Sequence, residues 1–168
     1  MSEWTRKPSP AVRTVVGRPV SGEALAVLIR AVVDRGVPCR FRARGLSMSP
    51  FIKDGDIVTV SPPTASGPGR GEIAAFVHPE TGKARVHRIL GRGDGLYLFK
   101  GDGAQGPDGE VGADRVLGVV TKVERDGRVV WTGSGWAGAA IGRSLRSGRL
   151  IRVARRIGRA FRRRGRES

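Results

Sequence analysis

The residues able to do nucleophilic or acid–base chemistry are few in this sequence, and their neighbours limit what each can do. A serine flanked by glycine and proline stands in Gly45-Leu46-Ser47-Met48-Ser49-Pro50, followed by Lys53-Asp54-Gly55-Asp56-Ile57-Val58. Such a serine by itself marks a turn, because its hydroxyl is a poor nucleophile until a base takes its proton. Two histidines are present. His78, beside Pro79 at the end of an apolar run, reads as a solvent-exposed loop residue. His87 lies in Arg85-Val86-His87-Arg88-Ile89, a strand pattern that puts it on one face with Arg85 and Ile89. It is the histidine expected inside an ordered element, and imidazole suits proton transfer near neutrality.

Two aspartates follow, Asp102 in Phe99-Lys100-Gly101-Asp102 and Asp108 six residues later. A carboxylate beside an imidazole fixes its tautomer and stabilises the imidazolium formed during attack. The competing reading is that both cap turns in a glycine-rich loop, and for one of them this is the expectation. Cys39 is the single cysteine, which excludes an intramolecular disulfide and a cysteine-based metal site. Between Pro38 and Phe41 it reads as a small core residue, with nothing nearby to activate a thiolate.

These groups need elements to hold them. Residues 1–20, with scattered prolines and basic residues, read as an extended or disordered tail. Ala24, Leu25, Leu28, Ile29 and Val32 recur at helical spacing after Ser21, predicting a short amphipathic helix over 21–36, ended near Gly36 and Pro38. From residue 40 to 131 the texture becomes short apolar runs closed by Gly, Pro or Asp. Strands are expected at Asp56–Val60, Glu72–Val77, Ala84–Leu90, Leu96–Lys100, Val116–Val123 and Val129–Trp131, with an Asp126-Gly127 hairpin turn between the last two. Ser61–Gly71 is a Pro/Gly/Ser loop. Over 137–168 a second helical pattern places Leu150, Val153, Ala154, Ile157 and Phe161 on one face and arginines on the others.

The formal charge is +16 in 168 residues, but eleven arginines and one acid lie beyond residue 142. A basic amphipathic helix of this kind binds an anionic membrane surface through apolar side chains plus charge. Nucleic acid is a less favoured partner, since Phe161 alone interleaves the arginines. The third reading is a solvated tail. No apolar run approaches the roughly 20 residues needed to span a bilayer, and the pattern of a secretory signal peptide is missing. The expected location is cytoplasmic, with peripheral attachment at the inner face of the membrane if the basic helix binds lipid.

The ordered series Ser47-Met48-x-Pro50, Gly55-Asp56, Gly71-Glu72-Ile73, Val86-His87-Arg88-Ile89, Lys100-Gly101-Asp102, Asp108 and Leu117-Gly118-Val119 resembles the type I signal peptidases. The resemblance is closest to the branch of the endoplasmic reticulum, archaea and some bacilli, where histidine replaces the lysine base. It extends to the LexA-like self-cleaving proteins, which share the fold and the Gly-x-Ser-Met-x-Pro box. The fold implied is mainly β, an antiparallel coiled sheet with short flanking helices. The activity implied is serine endopeptidase cleavage of peptides or proteins after small residues, without metal or organic cofactor. Residue by residue, the resemblance makes Ser47 the nucleophile, His87 the general base and Asp108 the first-choice orienting carboxylate. Asp102 is then a structural or alternative partner. The Ser47 backbone N–H faces the developing oxyanion, and Gly45 stands where signal peptidases often carry a hydroxyl.

Overall fold

Ser21 starts the helix because its hydroxyl accepts a hydrogen bond from the Ala24 N–H, one of the donors a helix start leaves unpaired. In the computed structural model, which describes residues 13–15 and 20–133, that helix is α1 (Gly22–Val33). The strands are β1 (Arg13–Val15), β2 (Cys39–Arg42), β3 (Ile57–Ser61), β4 (Ile73–Val77), β5 (Ala84–Gly93), β6 (Leu96–Lys100), β7 (Glu110–Gly112), β8 (Val116–Arg125) and β9 (Arg128–Thr132). The second helical pattern over 137–168 lies outside the described residues.

Mainly β architecture follows from the short apolar runs, and the strands form one nine-stranded sheet. Its order is β1-β2-β3-β8-β4-β5-β6-β7, with β9 also on β8. All pairings are antiparallel except β1 with β2. Those two are parallel because α1 carries the chain back over the sheet between them. Strands β1, β2 and β7 escaped the sequence reading: each has four residues or fewer, too short for alternation to register. Strand β8 holds β3 along one edge and both β4 and β9 along the other. Four register shifts, in the β3–β8, β4–β8, β5–β6 and β8–β9 pairings, add local twist.

Both faces of the sheet are covered where β4 runs, which explains its unbroken apolar sequence Ile73-Ala74-Ala75-Phe76-Val77. Ile73 and Ala75 join Ile29 and Val33 of α1, Val58, Val60 and Val120 in one buried cluster. Ala74 and Phe76 join Ile89, Tyr97, Phe99 and Val111 in a second, with Phe76 stacked on Phe99 at 4.1 Å between ring centres. Cys39 is fully buried in the first cluster. The β8–β9 hairpin turns through Asp126 (φ 50°) and Gly127 (φ 75°), and the β5–β6 hairpin through Asp94 (φ 51°) and Gly95 (φ 72°). Positive φ at both central residues is what lets a two-residue turn match the strands' twist.

His78 departs from its expected exposure: it is buried, at 7%. It opens the β4–β5 turn, which closes on itself through His78 N–H to the Lys83 carbonyl and Gly82 N–H to the His78 carbonyl. The first turn of α1 packs against the same hairpin, with Gly22 against the Lys83 side chain. Among the described residues no helix is long and apolar enough to cross a membrane.

Candidate active site

The loop between β2 and β3 carries Ser47 on a short closed turn. Gly45 at φ 90° reverses the chain, a conformation that side chains with a Cβ resist, and its N–H donates to Asp54 Oδ1 at 2.7 Å. The Ser49 N–H donates to the Leu46 carbonyl and the Ile52 N–H to the Met48 carbonyl, both at 3.0 Å. Met48 and Ile52 point into the main core and anchor the loop, leaving Leu46 and Ser47 exposed. At the loop's far end Asp56, only 2% exposed, receives Arg125 of β8 on both carboxylate oxygens at 2.8 and 2.7 Å. Burial alone would raise the Asp56 carboxyl, but the Arg125 guanidinium and the Lys53 N–H outweigh it and hold it below its ordinary value.

His87 sits on β5, 2% exposed, beside the Phe76 ring. Its Nε2 lies 2.8 Å from Ser47 Oγ, and its Nδ1 lies 2.6 Å from Asp108 Oδ2. Asp108 follows β6 at the entrance to β7, where its N–H donates to the Phe99 carbonyl and its side chain is 6% exposed. The second carboxylate oxygen accepts from Arg85 Nη1 at 3.2 Å. Only the neutral imidazole with its proton on Nδ1 satisfies both bonds while Ser47 donates. The three groups therefore form a hydrogen-bonded chain whose serine end is exposed and whose histidine and aspartate side chains are buried. Such an arrangement can take a proton from a serine hydroxyl and stabilise the charge that results.

Asp102 does not reach His87. Its carboxylate accepts from Arg88 Nε at 2.8 Å and Nη2 at 2.7 Å, a two-bond fork. Arg88 also donates to the Gly71 carbonyl and lies over the Phe51 ring, 5.3 Å from its centre. His87 and Arg88 are consecutive on β5 and so leave opposite faces of the strand. This divides the two aspartates between them, and the pairing of Asp102 with Arg88 is structural in geometry.

The segment Gly101-Asp102-Gly103 braces the serine loop from behind. The Gly103 N–H donates to the Ser47 carbonyl at 2.8 Å. A side chain at Gly101 would run into the Ser47 carbonyl and stand 3.1 Å from His87 Nε2. A Cβ at Gly103 would lie 3.0 Å from the Ser49 carbonyl oxygen. The spacing Gly-x-Gly after β6 is the sequence signal for this close approach, although such glycines also fit ordinary turns. Strand alternation puts Arg85 on the face of His87, and no local pattern points to its partner. Behind Arg88 a groove of about 410 Å³ opens between the start of β4 and the end of β9, lined by Phe51, Glu72, Val120 and Trp131 among others. Among the described residues no three His, Cys, Asp or Glu side chains gather as a metal-ligand set.

A family model described as Peptidase S24-like matches residues 23–121, from the second residue of α1 through the serine loop and β2 to β7 into the first part of β8. No curated protein matches the chain.

Proposed function

The chain belongs to the Peptidase S24-like family, and we propose that it is a serine endopeptidase in which Ser47 is the nucleophile and His87 the general base. The observation that carries this reading is the continuous hydrogen-bond path from Ser47 Oγ through His87 to Asp108, with steps of 2.8 and 2.6 Å. In the forward step His87 Nε2 takes the hydroxyl proton as Ser47 Oγ bonds to the carbonyl carbon of the scissile peptide. Asp108 holds the imidazolium in place. The oxyanion forms beside the Ser47 N–H, which has no protein acceptor among the described residues' hydrogen bonds. Collapse of the tetrahedral intermediate breaks the C–N bond, and Nε2 passes its proton to the leaving amine. Water then repeats the sequence on the acyl-enzyme. Asp102 acts with Arg88 to shape the loop behind Ser47 and takes no part in proton transfer. The substrate class is an extended peptide or protein segment cut after a small residue, as the resemblance to signal peptidases implies.

A different reading is a binding or regulatory module that keeps the fold with little turnover. The exposed serine aligned on a buried histidine speaks against it, since a binding role requires neither. A self-cleaving regulator of the LexA-like kind is disfavoured by histidine in place of lysine.

Cleavage-site profiling decides between them. The protein is incubated with a complex peptide mixture and the new ends are sequenced, with Ser47→Ala and His87→Ala as controls. New ends that follow small residues, reduced at least ~10³-fold in both variants, are the expected result. Equal cleavage in either variant removes the assignment. No new ends from the wild type, with and without anionic vesicles, favours the binding module.

A further inference from the structure

Asp108 is held at both carboxylate oxygens, by His87 at one and by Arg85 at the other. Oδ2 faces His87 Nδ1 at 2.6 Å, and Oδ1 faces Arg85 Nη1 at 3.2 Å. Arg85 and His87 alternate on β5, so both side chains leave the same face. Opposite them on β4 stand Phe76 and Ala74, which offer no polar side-chain group to Asp108. The Asp108 N–H is held by the Phe99 carbonyl, so the freedom left is rotation about the two side-chain bonds that aim the carboxylate. A carboxylate tied at one oxygen can turn; tied at two it presents one fixed edge to the imidazole.

We propose that Arg85 is a positioning residue of this site, orienting the Asp108 carboxylate so that it selects the His87 tautomer with its proton on Nδ1. The proposal rests on the endopeptidase reading for its effect on turnover, though not for its effect on the imidazole. Arg85 acts through Asp108 and need not touch the substrate. Its side chain is 41% exposed whereas that of Asp108 is 6% exposed, so the buried partner depends on the exposed one. An ion pair at a surface usually contributes little. This one differs because its acceptor is buried and already committed to the relay.

The test uses the full chain with Arg85→Met and Arg85→Lys. Nitrogen NMR of the histidine rings reads the His87 tautomer and the low-field Nδ1 proton, whether or not the protein turns over. The wild type should show a single Nδ1-protonated tautomer and Arg85→Met a mixture, with Arg85→Lys closer to wild type. On a peptide identified by profiling, Arg85→Met should lower kcat about tenfold and leave KM within about twofold, the size of one hydrogen bond lost in the transition state. Lysine should recover most of the loss. An unchanged tautomer in Arg85→Met, or an effect confined to KM, overturns the proposal. So does a lysine variant no better than methionine. If the wild type proves inactive while the tautomer still responds to Arg85, the endopeptidase reading fails and the positioning role stands.

Discussion

Ser47 is exposed while His87 and the Asp108 side chain are buried, and that contrast decides how the site meets a substrate. In the proposed reaction a peptide approaches the Ser47 hydroxyl from solvent, and the hydroxyl proton passes inward to the buried His87 ring. The close approach of Gly101 to both the Ser47 carbonyl and His87 Nε2 is what keeps the two at bonding distance. Gly101→Ala should therefore cost much more activity than stability. Pushing Ser47 off by part of an ångström is expected to lower kcat about 10²-fold, while the melting temperature, read by calorimetry, moves only a few degrees. A large loss of melting temperature with near-normal kcat would contradict this placement.

At the scale of elements, the serine loop is bolted to the sheet at its far end by the ion pair between Asp56 and Arg125 of β8. Arg125 also donates to the Phe51 carbonyl, so one side chain holds two points of the loop. The Asp56 carboxyl lies below its ordinary value in the folded chain, against the opposing push of burial. Glu124 is likewise lowered, by its hydrogen bonds from Arg40 and Lys122 despite partial burial. A carboxylate lowered on folding stabilises the fold above its unfolded value and loses that contribution as pH falls through the lowered one. Stability should thus be steady from neutral pH to about pH 4 and then decline. Arg125→Met leaves a buried carboxylate without its partner and should cost about 3 kcal/mol at neutral pH. Its urea midpoint should also depend less on acid than that of the wild type, and an equal acid dependence would show that this pair is not the one titrating.

Across the whole molecule the charge is divided unevenly. Residues 20–133 hold sixteen Lys and Arg against thirteen Asp and Glu, whereas residues 143–168 hold eleven arginines and one glutamate. Residues 20–133 are close to neutral, so any attraction to an anionic surface must come chiefly from residues 143–168. We propose that this stretch attaches the protein to anionic lipid, each basic residue contributing about 1 kcal/mol near the surface. Sedimentation with vesicles should show binding to anionic but not neutral lipid, weakened by salt and lost when 143–168 is removed. Equal binding without the stretch would exclude it as the anchor, and preferential retention on nucleic acid would redirect the proposal.

Several features were legible in the residues alone because they are local. Apolar runs closed by Gly, Pro or Asp marked β3–β6 and β8, Asp-Gly marked the last hairpin, and Ser21 with its apolar spacing marked α1. Those cues sufficed for the fold class, and the ordered motifs singled out Ser47 and His87, two residues that the fold brings to 2.8 Å. The burial of His78 and the parallel strand at Arg13–Val15 depend on contacts between segments distant in sequence, to which local periodicity is blind. The choice between Asp102 and Asp108 is of the same kind. Both lie in one glycine-rich loop six residues apart, and either could be drawn next to an imidazole on paper. The pleat of β5 decides: it sends His87 and Arg88 to opposite faces, and the loop leaving β6 delivers Asp102 to the arginine before it brings Asp108 to the histidine.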